Sequence, residues 1–548
     1  MMIAREFIGR PASPGVALGR LVRIDAGTPR RARRAGSPTE ECEALRRAVD
    51  VAISDLSTLR AANTGANTGA NTGADAGDIL DFQIEMLGDT ALTEPALAAI
   101  ADGAAADAAW TGVLGVQIAD FEAAEDEYFR ARAADLRDLH GRVLRHLAGA
   151  PDAERSLAGP LLAGAVLTGA DLTPSRFLET DWSAGGGIAL EAGSPTSHVA
   201  MLARARGVPM VVGLGPVAVQ GNVEAAVDGT AGRLLVSPDA QERARIAGRV
   251  ARAGAARDAL DDIARRPART ADGVAIRVLL NIADPAEVQA IDPVECDGIG
   301  LVRTELLFHG PGGLPDEDRQ YEAYRAILTW ADGRPVTIRT LDAGGDKPIA
   351  GYTRDGESNP FLGERGIRLS LAQPEVLAVQ FRALARAAVH GPLKVMLPMV
   401  TVPSELEAAG DILRDALGTL EAEGIAFRRP QLGMMVEVPA AALSIAAFDA
   451  AFFSIGSNDL TQYVTASARD IAAVAGLADP ANPAVLRLIA DVVRHGALTG
   501  REVSVCGDMA GDTAYTALLL AAGVEALSMA PNCVGAVKAL IARLRRTD

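Results

Sequence analysis

Phe452-Phe453-Ser454-Ile455-Gly456 runs straight into Ser457-Asn458-Asp459. A short apolar run of this kind, rich in aromatic residues and closed by glycine, reads as a buried strand. The Asn and Asp then stand where that strand meets a loop. The same texture recurs through the second half of the chain. Residues 274–280, 298–302, 336–341, 394–400, 432–438 and 503–506 join 452–455 as seven strand candidates, separated by longer helical patterns. The gap between the third and the fourth leaves room for an eighth. Seven or eight β/α units in about 280 residues predict a (β/α)8 barrel over 271–548.

Moving outward, residues 8–24 read as strand, tight turn and strand, with Ser13-Pro14-Gly15 as the turn. The basic run Arg30 to Arg34 reads as a solvated linker. From Thr39 the pattern is helical, with Leu45, Val49, Ile53, Leu56 and Leu59 on one face. The tetrapeptide Ala62-Asn63-Thr64-Gly65 then repeats through Gly73. Poor in helix formers and apolar surface, it is expected to be a flexible insertion between two helices. Helical periodicity returns at Ile79 and lasts to about Leu147. Short apolar runs at 166–167, 187–190, 210–212 and 234–236 suggest a small α/β domain, and 239–266 a charged connecting helix. The expected organisation is therefore multidomain α/β. Along the chain this reads as a strand-like start (1–30), a helical segment (31–150) and a small α/β domain (151–237). A linker helix (238–270) leads to the barrel (271–548).

Several function classes fall away on composition. The chain has 548 residues, 53 Lys plus Arg against 70 Asp plus Glu, and a net charge of −17. That balance opposes a general nucleic-acid binder. There is no long uncharged apolar run of the kind that spans a bilayer, and charges break up the first ten residues, so no membrane insertion and a cytoplasmic location are expected. Cys42, Cys296, Cys506 and Cys533 form no CxxC pair, which argues against a zinc cluster or a disulfide framework.

Two constellations carry chemistry. Gly193-Ser194-Pro195-Thr196-Ser197-His198 is a turn that leads to a histidine at the start of an amphipathic helix. Free backbone N–H groups and the helix dipole there suit a group that will carry phosphate. Taken alone, the position also suits a capping or packing histidine. The second set spans the barrel. Arg303, Arg339, Glu437, Asn458 with Asp459, and Cys506 each close a strand candidate, and Lys347 follows Arg339 in the run Arg339 to Lys347. All five strands thus present polar groups at their carboxyl ends, where barrel active sites are built. Arg303, Arg339 and Lys347 suit a phosphate or carboxylate clamp. Glu437 and Asp459 are hard oxygen ligands of the kind Mg2+ takes.

These features together resemble the enzyme I family of the bacterial phosphotransferase system, the phosphoenolpyruvate-protein phosphotransferases. The likeness rests on Ala12-Ser13-Pro14-Gly15, on Arg132 to Asp138, on Asp297 to Glu305, on Asn359-Pro360-Phe361-Leu362-Gly363, and on Phe453 to Tyr463. The resemblance implies a swivelling phosphohistidine α/β domain made of 1–30 and 151–237, a helical HPr-binding subdomain, 31–150, inserted in it, and a phosphoenolpyruvate-binding barrel, 271–548, that also dimerises. It makes His198 the phosphorylated residue, and Arg303, Arg339, Asn458 and Arg469 contacts for phosphoenolpyruvate. Glu437 and Asp459 become Mg2+ ligands and Cys506 the proton donor to the enolate. Pyruvate would be released and HPr would receive the phosphoryl group, with sugar uptake downstream. Two positions depart from the family pattern. Gly193-Ser194-Pro195 replaces Gly-Gly and a basic residue, and Cys506-Gly507-Asp508 replaces Cys-Gly-Glu.

Two rivals remain. A pyruvate phosphate dikinase or phosphoenolpyruvate synthase would need an ATP-binding domain upstream of the histidine domain, where this chain has a helical segment without a Gly-rich phosphate loop. A regulatory homologue without turnover would not need His198, Glu437, Asp459 and Cys506 together.

Overall fold

The computed structural model describes residues 5–24, 36–64, 70–123, 127–149, 163–218, 223–308, 314–345, 347, 349, 351–354, 356–468 and 471–546. The Arg30 to Arg34 run and Arg469 lie outside the described residues. Two compact units emerge, Met1–Ala256 and Arg257–Asp548.

In the first unit, eight strands form one sheet. They are β1 (Arg5–Ile8), β2 (Arg10–Ser13), β3 (Val16–Arg23), β4 (Val166–Gly169), β5 (Gly187–Leu190), β6 (Met210–Val212), β7 (Glu224–Asp228) and β8 (Arg233–Val236). Their order is β1-β8-β7-β3-β4-β5-β6-β2. The strands on either side of Ser13-Pro14-Gly15 are present but do not pair with each other. β2 lies on β6 at one edge, whereas β3 is central between β7 and β4. The turn is a local signal; the partners arrive from far along the chain. β7 escapes the pattern reading because its alanines carry little strand preference.

Helices Pro38–Thr64, Ala70–Gly88, Thr90–Ala101, Ala106–Ala123 and Glu127–Leu147 make up the helical part. Leu45, Leu56, Leu80, Ile100, Trp110 and Leu139 are buried in a core shared with Leu167, Ile188 and Leu190 of the sheet. The Ala-Asn-Thr-Gly block is less disruptive than expected. The first of these helices includes Ala62 to Thr64 and the second opens with Ala70 to Gly73, leaving only 65–69 outside the described residues. A helix already nucleated propagates through Asn and Thr at a cost of only about half a kcal/mol each.

The second unit is a closed barrel of eight parallel strands. They are β9 (Arg277–Ile282), β10 (Ile299–Val302), β11 (Val336–Arg339), β12 (Leu393–Leu397), β13 (Gln431–Val436), β14 (Phe452–Gly456), β15 (Glu502–Cys506) and β16 (Ala526–Met529). The eighth strand is β16, at the end, and not in the gap between 341 and 394. That gap instead carries a long loop and the helices Ile367–Ala372 and Pro374–Ala387. All four residues of β16 are buried, so it shows no alternation. It also lies between two apolar helices, Thr513–Ala521 and Val534–Ile541, whose pattern absorbs it.

Local chemistry sets the outer helices. Pro483–Thr499 starts with Asn482 capping Ala484 N–H and stops at Gly500, whose φ is +67°. It buries Val485, Leu488, Ile489 and Val492 against the strands. Among the described residues, no helix is long and apolar enough to cross a membrane.

Candidate active site at the barrel mouth and the His198 turn

Parallel strands in a barrel deliver the residues at their carboxyl ends to one rim. Arg303 follows β10, Arg339 ends β11, Glu437 follows β13, Asn458 and Asp459 follow β14, and Cys506 ends β15. All six line one cavity open at the rim, together with Lys347 and Arg365. The sequence-predicted barrel residues are thus brought together, Arg469 alone lying outside the described residues.

Asp342 is the centre of the charge arrangement. Fully buried, it faces Arg339 Nη1 at 3.2 Å and accepts from Lys347 Nζ at 3.2 Å and from Arg365 Nε and Nη2 at 3.1 and 3.0 Å. Burial opposes its ionisation, but Lys347, Arg339 and Arg365 outweigh that and hold its carboxyl well below the usual range. Arg339 also donates to Glu305 Oε1 at 2.6 Å. Arg365 reaches onward to Asp459 Oδ2 at 3.0 Å. Among the described residues Arg303 has no ion-pair partner, which leaves its guanidinium for a ligand.

Nothing in the sequence marks Arg365, the basic partner of Asp459. The guanidinium comes from the loop after β11, not from a strand end, so the strand-end rule passes over it. The signal nearest to it was Asn359 to Gly363, which ends two residues earlier.

Asn458 is held by a reciprocal pair. Its Nδ2 donates to Asp508 Oδ2 at 3.2 Å, and its Oδ1 accepts from Asp508 N at 3.0 Å. The tight turn between β15 and Asp508 depends on Gly507, whose φ is +102°. A Cβ there would lie 2.5 Å from Ser457 Oγ and 2.8 Å from Asn458 Oδ1. Cys506 is only 1% exposed, and burial pushes its thiol up to about 11.

Glu437 and Asp459 sit on neighbouring strand ends. Glu437 Oε1 accepts from Met399 N at 2.7 Å. Burial, then the charges of Asp459 and Asp342, push the Glu437 carboxyl up to about 7. Asp459 thus raises the Glu437 carboxyl, and a hard divalent cation held by both would relieve that repulsion. Among the described residues no group of three or more His, Cys, Asp or Glu is arranged to hold a metal. A cation here would take two protein oxygens and complete its shell with water or ligand, as Mg2+ does.

In the other unit, His198 opens the helix His198–Ala205, with Ser197 Oγ capping Ala200 N–H. The helix buries Val199, Ala200, Leu202 and Ala203 in the core shared with the helical subdomain, which fixes the turn ahead of it. His198 keeps 22% of its side chain exposed, and its Nδ1 lies 3.9 Å from Oδ1 of the buried Asp135. Arg10 donates to Gly193 O at 2.8 Å and Arg204 to Pro195 O at 2.8 Å, tying the turn down from two sides.

Three family models match the chain. They are described as PEP-utilising enzyme, N-terminal (8–132), PEP-utilising enzyme, mobile domain (161–232), and PEP-utilising enzyme, PEP-binding domain (257–546). A phosphoenolpyruvate-protein phosphotransferase of Geobacillus stearothermophilus is 38% identical over 437 residues, covering 79% of this chain and 75% of that protein. The protein of that name from Listeria innocua is 33% identical over 560 residues, 100% of this chain and 95% of its own length. The one from Haloferax volcanii is 39% identical over 478 residues, 86% and 82% of the two chains.

Proposed function

This chain belongs to the PEP-utilising enzymes, among the phosphoenolpyruvate-protein phosphotransferases, and from that membership we propose how its own residues carry the transfer. Phosphoenolpyruvate binds in the barrel mouth. Arg303, Arg339 and Lys347 hold its phosphate and carboxylate, and Asn458 orients it. Arg469 joins them from outside the described residues. Glu437 and Asp459 would hold Mg2+, which supplies charge neutralisation at the phosphoryl group when bound. The neutral imidazole of His198 attacks phosphorus in line, with little covalent work left to the protein beyond placing charges. Cys506 gives its thiol proton to C3 of the enolate, and pyruvate leaves. The phosphoryl group then passes from His198 to a histidine of HPr docked on the helical subdomain. One histidine serving two partners requires a moving domain. A homodimer formed through the barrel and a cytoplasmic place at the head of sugar uptake complete the reading.

The observation that carries it is the cavity itself. An arginine with no ion-pair partner among the described residues, two further cations held by one buried carboxylate, two neighbouring carboxylates and a buried thiol converge on one mouth. Few ligands other than a small, multiply charged, enolisable acid would use all of them. The test is incubation with labelled phosphoenolpyruvate, Mg2+ and HPr. Label on HPr without ATP is the expected result. A requirement for ATP would mean a dikinase, and no transfer a regulator.

A further inference from the structure

β14 and β15 pair in register, Ser454 opposite Ser504 and Gly456 opposite Cys506. Alternate residues of a strand share a face. Cys506 and Gly456 line the mouth cavity, so Ser454 and Ser504 lie on the same interior face, one step further from the rim. Ser504 Oγ donates to Ser454 Oγ at 3.0 Å, and Ser454 Oγ donates to Cys506 Sγ at 3.4 Å. The thiol is directed at Ile455 O, 3.5 Å away. Ser457 Oγ donates to the Cys506 carbonyl at 2.9 Å, holding the strand end in place. Ser454 and Ser504 are both buried. The neighbours packed with Cys506 are Leu301, Met396, Met435 and Phe452.

Two hydroxyls in such surroundings are costly unless each proton finds an acceptor. Here the acceptors form a sequence that ends on sulfur. Once Ser504 has donated to Ser454, the Ser454 proton has the sulfur as its acceptor. A donor aimed at a thiol is worth little while the thiol is neutral. It is worth much more to a thiolate in an apolar setting, so its effect falls on the step that creates the charge.

We propose that Ser454, oriented by Ser504, is a positioning residue for proton delivery: it stabilises the Cys506 thiolate that forms as the thiol proton passes to the enolate. The S–H bond breaks, a C–H bond forms at C3, and the negative charge moves from the enolate to Sγ. After pyruvate leaves, the thiolate takes a proton from water in the open mouth. The inference rests on the reading of Cys506 as the proton donor.

The experiment uses the full chain with phosphoenolpyruvate, pyruvate and Mg2+ in D2O, and follows deuterium entry into the pyruvate methyl group by proton NMR. In parallel, single-turnover phosphorylation of His198 and the KM for phosphoenolpyruvate are measured. Ser454→Ala should slow exchange by about ten- to a hundredfold, the range expected for losing a hydrogen bond to a charged group. KM should stay within about twofold, since a hydroxyl acting only through sulfur binds no substrate. Ser504→Ala should give a smaller loss in the same sense. Cys506→Ala separates the two ideas. If it exchanges as fast as the parent, the Cys506 assignment fails and the inference with it. If it is inactive in exchange while Ser454→Ala matches the parent, the hydroxyl pair only packs and the inference alone is overturned. Should Ser454→Ala lose its cooperative thermal transition, Ser504→Ala decides. Slowed exchange with unchanged KM supports the proposal, and parental exchange overturns it.

Discussion

Asp342 accepts from Arg365 in a two-pronged contact, and the same guanidinium reaches Asp459. A lysine would keep the charge there but could not make the fork. Arg365→Lys should therefore raise the KM for phosphoenolpyruvate about tenfold or more while the chain still folds. Steady-state kinetics with an unchanged KM would show that Arg365 serves only the fold. His198 is the simpler case. Of the six histidines it alone follows a Gly-Ser-Pro-Thr-Ser stretch. His198→Ala should abolish phosphoryl acceptance and leave phosphoenolpyruvate binding intact, which intact-mass measurement and ligand titration can read. An acid-labile phosphate on any other histidine would move the acceptor elsewhere.

At the scale of elements, the 3-10 turn Pro285–Ala290 after β9 carries a buried carboxylate. Burial pushes the Glu287 carboxyl up to about 7, offset in part by the hydrogen bond it accepts from Ala283 N at 3.2 Å and, less, by Arg303. Its folded value lies above the ordinary 4.5, so the native state binds more protons than the unfolded chain between those two values. Stability due to this group is thus present at low pH and falls as pH rises through that window. Glu287→Gln keeps an oxygen for Ala283 and removes the buried charge. It should melt above the parent at pH 8, by something on the order of 1–3 kcal/mol, with the gap closing toward pH 5. A difference independent of pH would mean that the ionised form of Glu287 is not penalised.

At the scale of the whole chain, the helix Ala240–Ala264 is continuous, and just ahead of it Ser237 takes a φ of +52°. A long unbroken helix transmits motion and does not absorb it, which puts any pivot at its two ends. On the proposed mechanism the barrel mouth must admit His198, so a second copy would pack on outer helices or beside the rim. Association of this kind should strengthen when ligand orders the mouth loops, since each equilibrium then favours the other. Sedimentation velocity across a dilution series, with and without phosphoenolpyruvate and Mg2+, should show dimer persisting to lower concentration with ligand. A fully active monomer at every concentration would remove the dimer from the mechanism.

Much of the site was legible from residues alone, because a strand end is a local feature. Arg303, Arg339, Glu437, Asn458, Asp459 and Cys506 each follow an apolar run, and a closed parallel barrel carries every such end to one rim. Seven of the eight barrel strands, the helical face of Leu45 and Leu56, and the Ser197 cap ahead of His198 were local in the same sense. Three other features depended on which segments meet. β2 leaves its sequence neighbour for β6, the barrel closes with a four-residue strand that shows no alternation, and Arg365 finds Asp459 across 94 residues. The hydroxyl pair beneath Cys506 belongs with these, since it needs Ser454 in register with Ser504. Periodicity and propensity are written along the chain and decide what each segment becomes. Register and closure depend on the whole set of segments packing at once, so they decide which side chains touch.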